Sequence, residues 1–355
     1  MGTGSYLTTQ LSSFLPHIEE EMRRIINAVS TGDTSIAQPV VFNTMLNYHL
    51  GFAMDDGTPT HVYSGKRIRP VLALLCCEAC GGQVDVAYPA AAAIELLHNF
   101  SLIHDDIEDG DDLRRGRQTL WKIWGEAQAI NSGDAMFTLA HMALETAIER
   151  AVDAGRVLRS LRVFDEACLA LTIGQHLDLS FENRNDVTAA EYKVMIQGKT
   201  GALTKAACAI GAILAGAPQS RVNLLAEFGE SLGVAFQLQD DVLGIWGDPG
   251  TTGKQDSDLS HRKKTLPVLY AAERDAALRE VYFVTRSRDN EERLDETMVQ
   301  WLRSRIEDSG ARAYTEEAAL AACNQSLHAL DAAQLTGDAA IGLRELAQSL
   351  LGRAS

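Results

Sequence analysis

Two long apolar stretches of this chain each run out into a pair of adjacent aspartates, and that pattern restricts the fold more than any other. The first, "ELLHNFSLIHDDIED", carries Asp105, Asp106 and Asp109; the second, "FQLQDDVLGIWGD", carries Asp240 and Asp241. Asp105 and Asp109 stand four apart, so on a helix they project from one face about a turn from each other, with Asp106 alongside. Carboxylates gathered at that spacing destabilise a helix unless a cation sits among them. Two such pairs, each closing an apolar helix, predict a bundle that brings them opposite each other at the mouth of a cavity.

Helical signals run through the rest of the chain. Alanine is abundant, aromatics make up 6%, and runs of alternating β-branched residues are hard to find. Helices are predicted near 11–29, 38–52, 66–80, 86–108, 119–127, 131–150, 156–182, 189–215, 221–246, 265–277, 291–308, 312–333 and 338–351. Gly81-Gly82, Gly216 to Pro218 and Gly247 to Gly253 punctuate them. Thr188 with Glu191 forms a capping box ahead of the 189–215 helix. Residues 53–65 and 247–264 read as surface loops, and 284–296 as a solvated turn and helix start. With no repeat and no low-complexity linker, the reading is one all-α domain over 1–355, with 1–10 a flexible N-terminal tail.

Composition closes off other classes. The chain has 355 residues, of which 46% are hydrophobic, ample for a large core. A formal charge of -16 speaks against non-specific binding to nucleic acid or anionic membrane. Cys77 and Cys80 form a lone CxxC without further ligands, so buried thiols are expected there and not zinc. Met1 to Gln10 does not read as a signal peptide, and the longest apolar stretch, Ala206 to Ala217, is too short to cross a bilayer. The expectation is a cytoplasmic protein with no integral membrane segment.

The chemistry follows from the charges. Mg²⁺ is hard, takes oxygen ligands, and is usually held by a few carboxylates plus substrate phosphates. A calcium loop fails on pattern, because Ile107 fills its third position and Gly116 its twelfth. Cations gather near the carboxylates: Arg114 and Arg115; Lys199 with Thr200 in "QGKTGAL"; Lys254; Lys263 and Lys264; and Lys66, Arg67 and Arg69 in "SGKRIRP". Arginine grips phosphate as a two-pronged fork and lysine as a compact charge. An acidic protein that groups its bases this way is built for more than one phosphorylated ligand.

These segments, with "LRRGRQT", "GEAQAINSGD", "GQHLDLSFE" and "FQLQDDVLGIWGDPGTTGK", stand in a recognisable order. From about Leu11 onward the chain resembles the trans-isoprenyl diphosphate synthases of the polyprenyl synthetase family, and within it the geranylgeranyl diphosphate synthases. The resemblance implies an all-α bundle around a deep central cavity, usually homodimeric, that condenses isopentenyl diphosphate with an allylic prenyl diphosphate. It implies that Asp105, Asp106, Asp109, Asp240 and Asp241 hold three Mg²⁺ ions, which Mn²⁺ can replace, on the allylic diphosphate. Arg114, Lys199, Thr200, Gln237, Lys254 and Lys263 match positions binding that diphosphate. Lys66, Arg69, His98 and Arg115 match the isopentenyl diphosphate pocket. Gln175 and Asp178 match the segment lining the reacting end, and Asp258 an acidic residue that organises the metal shell through water. His98 also lies seven residues before Asp105, two turns back on roughly the same face.

Two departures stand out. Gly244 replaces an aspartate that commonly ends the second motif, and Ser64 a glycine of the usual "GGKR". Product length is expected to follow what plugs the cavity floor. Phe100, one turn before the acidic face and beside the small Ser101, implies by the resemblance a C20 stop. Two adjacent aromatics would imply C15, and none a longer chain. A terpene cyclase on the same bundle does not need the pocket of Lys66, Arg69, His98 and Arg115. A non-catalytic partner subunit tends to lose aspartates of the first motif, and all three are present here.

Overall fold

The structure is a computed structural model that describes residues 6–31, 40–62, 65, 67–247, 258–283 and 294–351. The charged segments expected as a loop at 247–264 and a turn at 284–296 fall largely outside these residues. The described chain is helical apart from a two-stranded hairpin and an isolated bridge between Ala53 and Pro59. It divides into two compact units, Met1–Phe164 with Ala207–Asn223 and Leu335–Leu343, and Asp165–Ala206 with Leu224–Gln334 and Arg344–Ser355.

The first unit is organised by α4 (Tyr88–Glu108), which packs on α1 (Tyr6–Thr31), on α3 (Ile68–Ala79) and most extensively on α6 (Glu126–Glu145). Ala90 to Ala93, Ile94, Leu96 and Leu97 have no accessible surface. The small residues let neighbouring helices approach, and each buried Ile or Leu stabilises by about 1.5–3 kcal/mol. Val84–Glu108 is long and apolar enough to cross a membrane by length and composition, longer than the Ala206–Ala217 run that the sequence offers at first sight; 78% of its apolar window is buried within the protein. α1 begins at Tyr6, inside the stretch expected as a tail, and the Tyr6 hydroxyl donates to Glu78 Oε2 at 3.0 Å. α2 (Val40–His49) and α5 (Leu120–Trp124) also belong to this unit, with the start of α7 (Ala154–Glu182) and the segments Ala207–Asn223 and Leu335–Leu343.

The second unit takes the remainder of α7, α8 (Ala189–Ile196) and most of α10 (Gln219–Trp246). It continues through α11 (Leu266–Ala272), α12 (Ala276–Tyr282), α13 (Glu296–Asp308) and α14 (Ala311–Ala332). Phe181, Tyr192, Leu238, Leu269, Tyr282 and Leu302 lie in its core. The capping box at Thr188 is present in both directions. The helix expected over 189–215 is broken into α8, a π-turn at Gln197–Gly201, and α9 (Ala202–Ala215). The helix expected at 265–277 stops early because Asp275 caps α12, accepting from the Leu278 amide at 3.0 Å.

Candidate active site

In the first unit the acidic cluster forms because α4 ends there. Asp109 is its C-cap residue and Gly110 follows with φ +66°. The Asp111 amide donates to the Asp106 carbonyl at 2.9 Å and the Gly110 amide to the Ile107 carbonyl at 3.3 Å. That paired closure is the Schellman motif, which needs a left-handed residue where Gly110 stands. Asp105 and Asp109 are half-buried, while Asp106 is 2% exposed.

The chain then turns back in the hairpin of Leu113–Arg114 and Arg117–Gln118, with Arg114 opposite Arg117. Both turn residues are left-handed, Arg115 at φ +52° and Gly116 at φ +76°. Turns of this hand match the twist of a two-residue hairpin. Arg114 Nε donates to Asp106 Oδ1. Arg117 donates to the carbonyls of Tyr48 at 3.0 Å and Ala53 at 2.9 Å, so the hairpin is tied to the end of α2. Tyr48, His49, Asp106, Arg114, Arg115 and Arg117 line one open cleft. Its arginines leave it strongly electropositive around a single buried carboxylate.

Burial pushes the Asp106 carboxyl up to about 6, against the pull of Arg114. Its Oδ2 is buried and has no hydrogen-bond partner. An orphaned carboxylate oxygen between half-buried aspartates suits a hard divalent cation. Among the described residues, no three His, Cys, Asp or Glu side chains converge tightly enough to hold an ion alone. Any ion here therefore completes its shell with oxygens of water or phosphate.

One turn and more behind the aspartates, Arg69 Nη1 and His98 Nε2 lie 3.3 Å apart. Burial, then Arg69, Arg115 and Arg114, holds His98 well below the usual imidazole range, so its ring is neutral. Phe100 packs against Phe137 at 5.1 Å and His104 at 4.8 Å. Phe137 meets His141, and His141 meets Phe164, giving a row of rings across α4, α6 and α7. Ser101 turns its hydroxyl onto the His98 carbonyl at 2.8 Å.

The second unit places its predicted residues on a backbone crossing. A Cβ on Gly174 would lie 2.2 Å from the Lys199 amide nitrogen, and one on Gly198 2.7 Å from the Ala170 carbonyl. α7 and the π-turn therefore touch main chain to main chain, a contact that only glycine allows. π-turns recur at functional sites; this one sets Lys199 Nζ 2.7 Å from Asp178 Oδ2 and points the Thr200 hydroxyl at Gln237 Oε1 at 2.8 Å. Gln237 Nε2 donates to Asp241 Oδ1 at 3.2 Å. Asp241 Oδ2 accepts from the Tyr192 hydroxyl at 2.5 Å and from the Leu266 amide at 3.3 Å. Asp241 is 1% exposed, and burial raises its carboxyl to about 7. Asp240 is half-buried at the same end of α10, and Gln175 stands on α7 one turn from Asp178.

Lys66 and Lys254 lie outside the described residues. Lys263 Nζ is 3.7 Å from Glu182 Oε1. Two cations noted in the sequence have structural tasks: Lys264 donates to the carbonyls of Phe181 and Glu182 at the end of α7, and Arg67, buried, pairs with Glu19 at 3.0 Å. The sequence offered no sign of His49 or Tyr192, because neither belongs to a spaced motif, while Arg117 stands in the "LRRGRQT" segment without a role assigned to it there. Burial, with help from Arg114, Arg115 and Arg117, lowers His49 to about 3, and its Nε2 is buried without a hydrogen-bond partner.

The family model for polyprenyl synthetase matches residues 58–301, more than half of the chain. The chain belongs to the polyprenyl synthetase family. Among relatives, a "(2E,6E)-farnesyl diphosphate synthase" of Mycobacterium tuberculosis is 47% identical over 227 residues, covering 64% of this chain and 62% of that protein. A "geranylgeranyl diphosphate synthase" of the same organism is 44% identical over 238 residues, covering 67% of this chain and 66% of that protein. The matches thus span less than two thirds of either relative. The crystal structure of a polyprenyl synthetase from Streptomyces coelicolor A3(2) aligns with a TM-score of 0.86 at 36% identity, over 97% of this chain and 99% of that one. The all-α isoprenoid-synthase fold expected from the sequence is thereby shown.

Proposed function

We propose that this chain is a Mg²⁺-dependent trans-prenyl diphosphate synthase that joins isopentenyl diphosphate head-to-tail to an allylic diphosphate and releases a C20 product. The observation that carries the reading is the arginine-lined cleft built around the orphaned Asp106 oxygen, in a chain of the polyprenyl synthetase family. Asp105, Asp106, Asp109, Asp240 and Asp241 would hold the ions, with Mn²⁺ able to replace Mg²⁺. Bound metal supplies the charge that stabilises departing pyrophosphate. Arg114, Lys199 and Lys263 neutralise the same phosphates, Thr200 and Gln237 orient them, and Lys254 is assigned with them by sequence. Arg69, His98, Arg115 and Lys66 bind the second diphosphate. A neutral His98 can donate one hydrogen bond without adding repulsion beside two arginines. The allylic cation must meet carbon and not water, so the surface beneath the aspartates must be apolar, and the Phe100 row answers to that need.

Three observations bear on the finer points. Phe100, backed by Phe137, stands as a single bulky stop with Ser101 beside it, which favours C20. The likeness to a farnesyl diphosphate synthase favours C15. Exposed Leu158, Leu169 and Ile173 fall on one side of α7, a face that a second copy of the chain would cover in a homodimer.

The test incubates purified chain and Mg²⁺ with isopentenyl diphosphate and a C5, C10 or C15 allylic starter. Products are extracted before and after phosphatase and sized by mass spectrometry. A C20 alcohol seen only after phosphatase is expected. Accumulation of C15 would assign the farnesyl product, a hydrocarbon before phosphatase would assign a cyclase, and no product from any starter would reject the activity.

A further inference from the structure

We infer that the carboxylates of Glu19 and Glu95 are positioning residues for the isopentenyl diphosphate pocket, clamping Arg67 so that Arg69 and Arg115 stand preassembled beside His98. The inference rests on the prenyl diphosphate synthase reading above and deepens it.

Arg67 opens α3 as its N-cap residue, with a left-handed backbone at φ +45° and ψ +43°. A residue bearing a Cβ sits uphill there, so contacts outside the helix must hold it. The guanidinium makes those contacts. Its Nη1 lies 3.0 Å from Glu19 Oε1 on α1, and its Nε 4.0 Å from Glu95 Oε1 on α4. The Phe52 ring packs alongside, with its centroid 5.7 Å from Arg67 Cζ. Arg67 is 6% exposed and Glu95 3%, so these charges are closed off from water and little screened by salt. Arg69 follows two residues into α3 and reaches His98. Pinning Arg67 therefore fixes the turn that delivers Arg69.

A carboxylate buried behind an anion pocket repels the ligand unless the pocket's own cations already balance it. Glu95 meets that condition. Among the charges acting on Arg115, that of Glu95 is the largest, and it opposes the effect of burial. Arg115 in turn rests on the stretch that leads to Arg67, since a Cβ on Gly65 would lie 2.9 Å from its Nη2. Glu95 also stands three residues before His98 on α4, a neighbouring position on the helix surface. Asn99 Nδ2 donates to Glu95 Oε1 at 3.3 Å and helps to fix it. Glu19 braces the outer side, with Oε2 3.5 Å from His61 Nδ1. The two glutamates thus hold together arginines whose like charges would otherwise drive them apart before any diphosphate arrives.

The test is steady-state kinetics at saturating Mg²⁺ on Glu95→Gln and Glu19→Gln, varying isopentenyl diphosphate and the allylic diphosphate in turn. Both changes keep the shape and remove the charge, and each variant is checked by circular dichroism and melting temperature. Glu95→Gln should raise the KM for isopentenyl diphosphate about tenfold or more, as displaced binding groups do, while the allylic KM stays within about twofold. Glu19→Gln, at a more exposed site, should show the same one-sided rise at about threefold. A role in stability alone would lower the melting temperature and move both KM values or neither. A folded Glu95→Gln in which the two values rise together, or neither rises, overturns the inference and leaves the proposed activity standing. Should Glu95→Gln not fold, the same outcomes in Glu19→Gln decide. If the parent chain forms no prenyl product, the proposed function falls, and this assignment with it.

Discussion

Phe100 is the residue on which product length is expected to turn. Its ring rests on Phe137 and His104, so Phe100→Ala removes the stop but leaves Phe137 behind it. Products beyond C20 are expected by mass spectrometry, with a further shift when Phe137→Ala is added; an unchanged distribution in both would remove this row from the floor. Asp241 offers a test that needs no substrate. Its carboxyl is raised from 3.8 to about 7, so the folded chain holds a proton that the unfolded chain has released. The sign is therefore fixed: the stability linked to Asp241 is present below pH 4 and lost as pH rises towards 7. With metal chelated, the stability advantage of the parent over Asp241→Asn should shrink between pH 4 and 7 by about 1.4 kcal/mol per pH unit, read from urea midpoints. A gap that widens with pH would contradict the burial described for this side chain.

At the scale of elements, the crossing of α7 with the π-turn is the joint on which the second cluster depends. Gly174→Ala must push the Lys199 backbone away, because the obstructing atoms are main chain and cannot rotate aside. A loss of about 1–3 kcal/mol is expected, with a lower melting temperature and weaker binding of inorganic pyrophosphate as Lys199 shifts. This joint also shows where sequence reading ran out. The helices themselves were legible, since periodicity, the capping box at Thr188 and the glycine stops are local signals. The π-turn was not, because Gly198 and Gly201 acquire their meaning only when Gly174 and Gly233 lie against them. The hairpin at 113–118 was missed for the opposite reason: four paired residues are too few to show an alternating pattern. The acidic motifs were readable from spacing and the family resemblance, whereas His49 and Tyr192 enter through tertiary contact alone.

For the molecule as a whole, the exposed side of α7 is the feature that a lone chain leaves unexplained. Leu158 is 69% exposed, Leu169 64% and Ile173 51%. A stable pair would cover them, and sedimentation at micromolar concentration should give twice the chain mass. Leu158→Glu with Leu169→Glu should shift the chain to the monomer while leaving its circular dichroism unchanged. A parent chain that sediments as a monomer at every concentration would reject the homodimer.

The left-handed backbone of Arg115 reaches further than the hairpin it closes. A side chain bearing a Cβ sits there uphill by about 1–3 kcal/mol, and glycine or asparagine would rest more easily. Its guanidinium nevertheless lines the cleft proposed to receive a diphosphate. On the proposed function, heat tolerance and grip on the ligand pull this position in opposite directions. A laboratory selecting sturdier variants by melting point alone would tend to exchange this arginine away, and obtain a tougher protein that works worse.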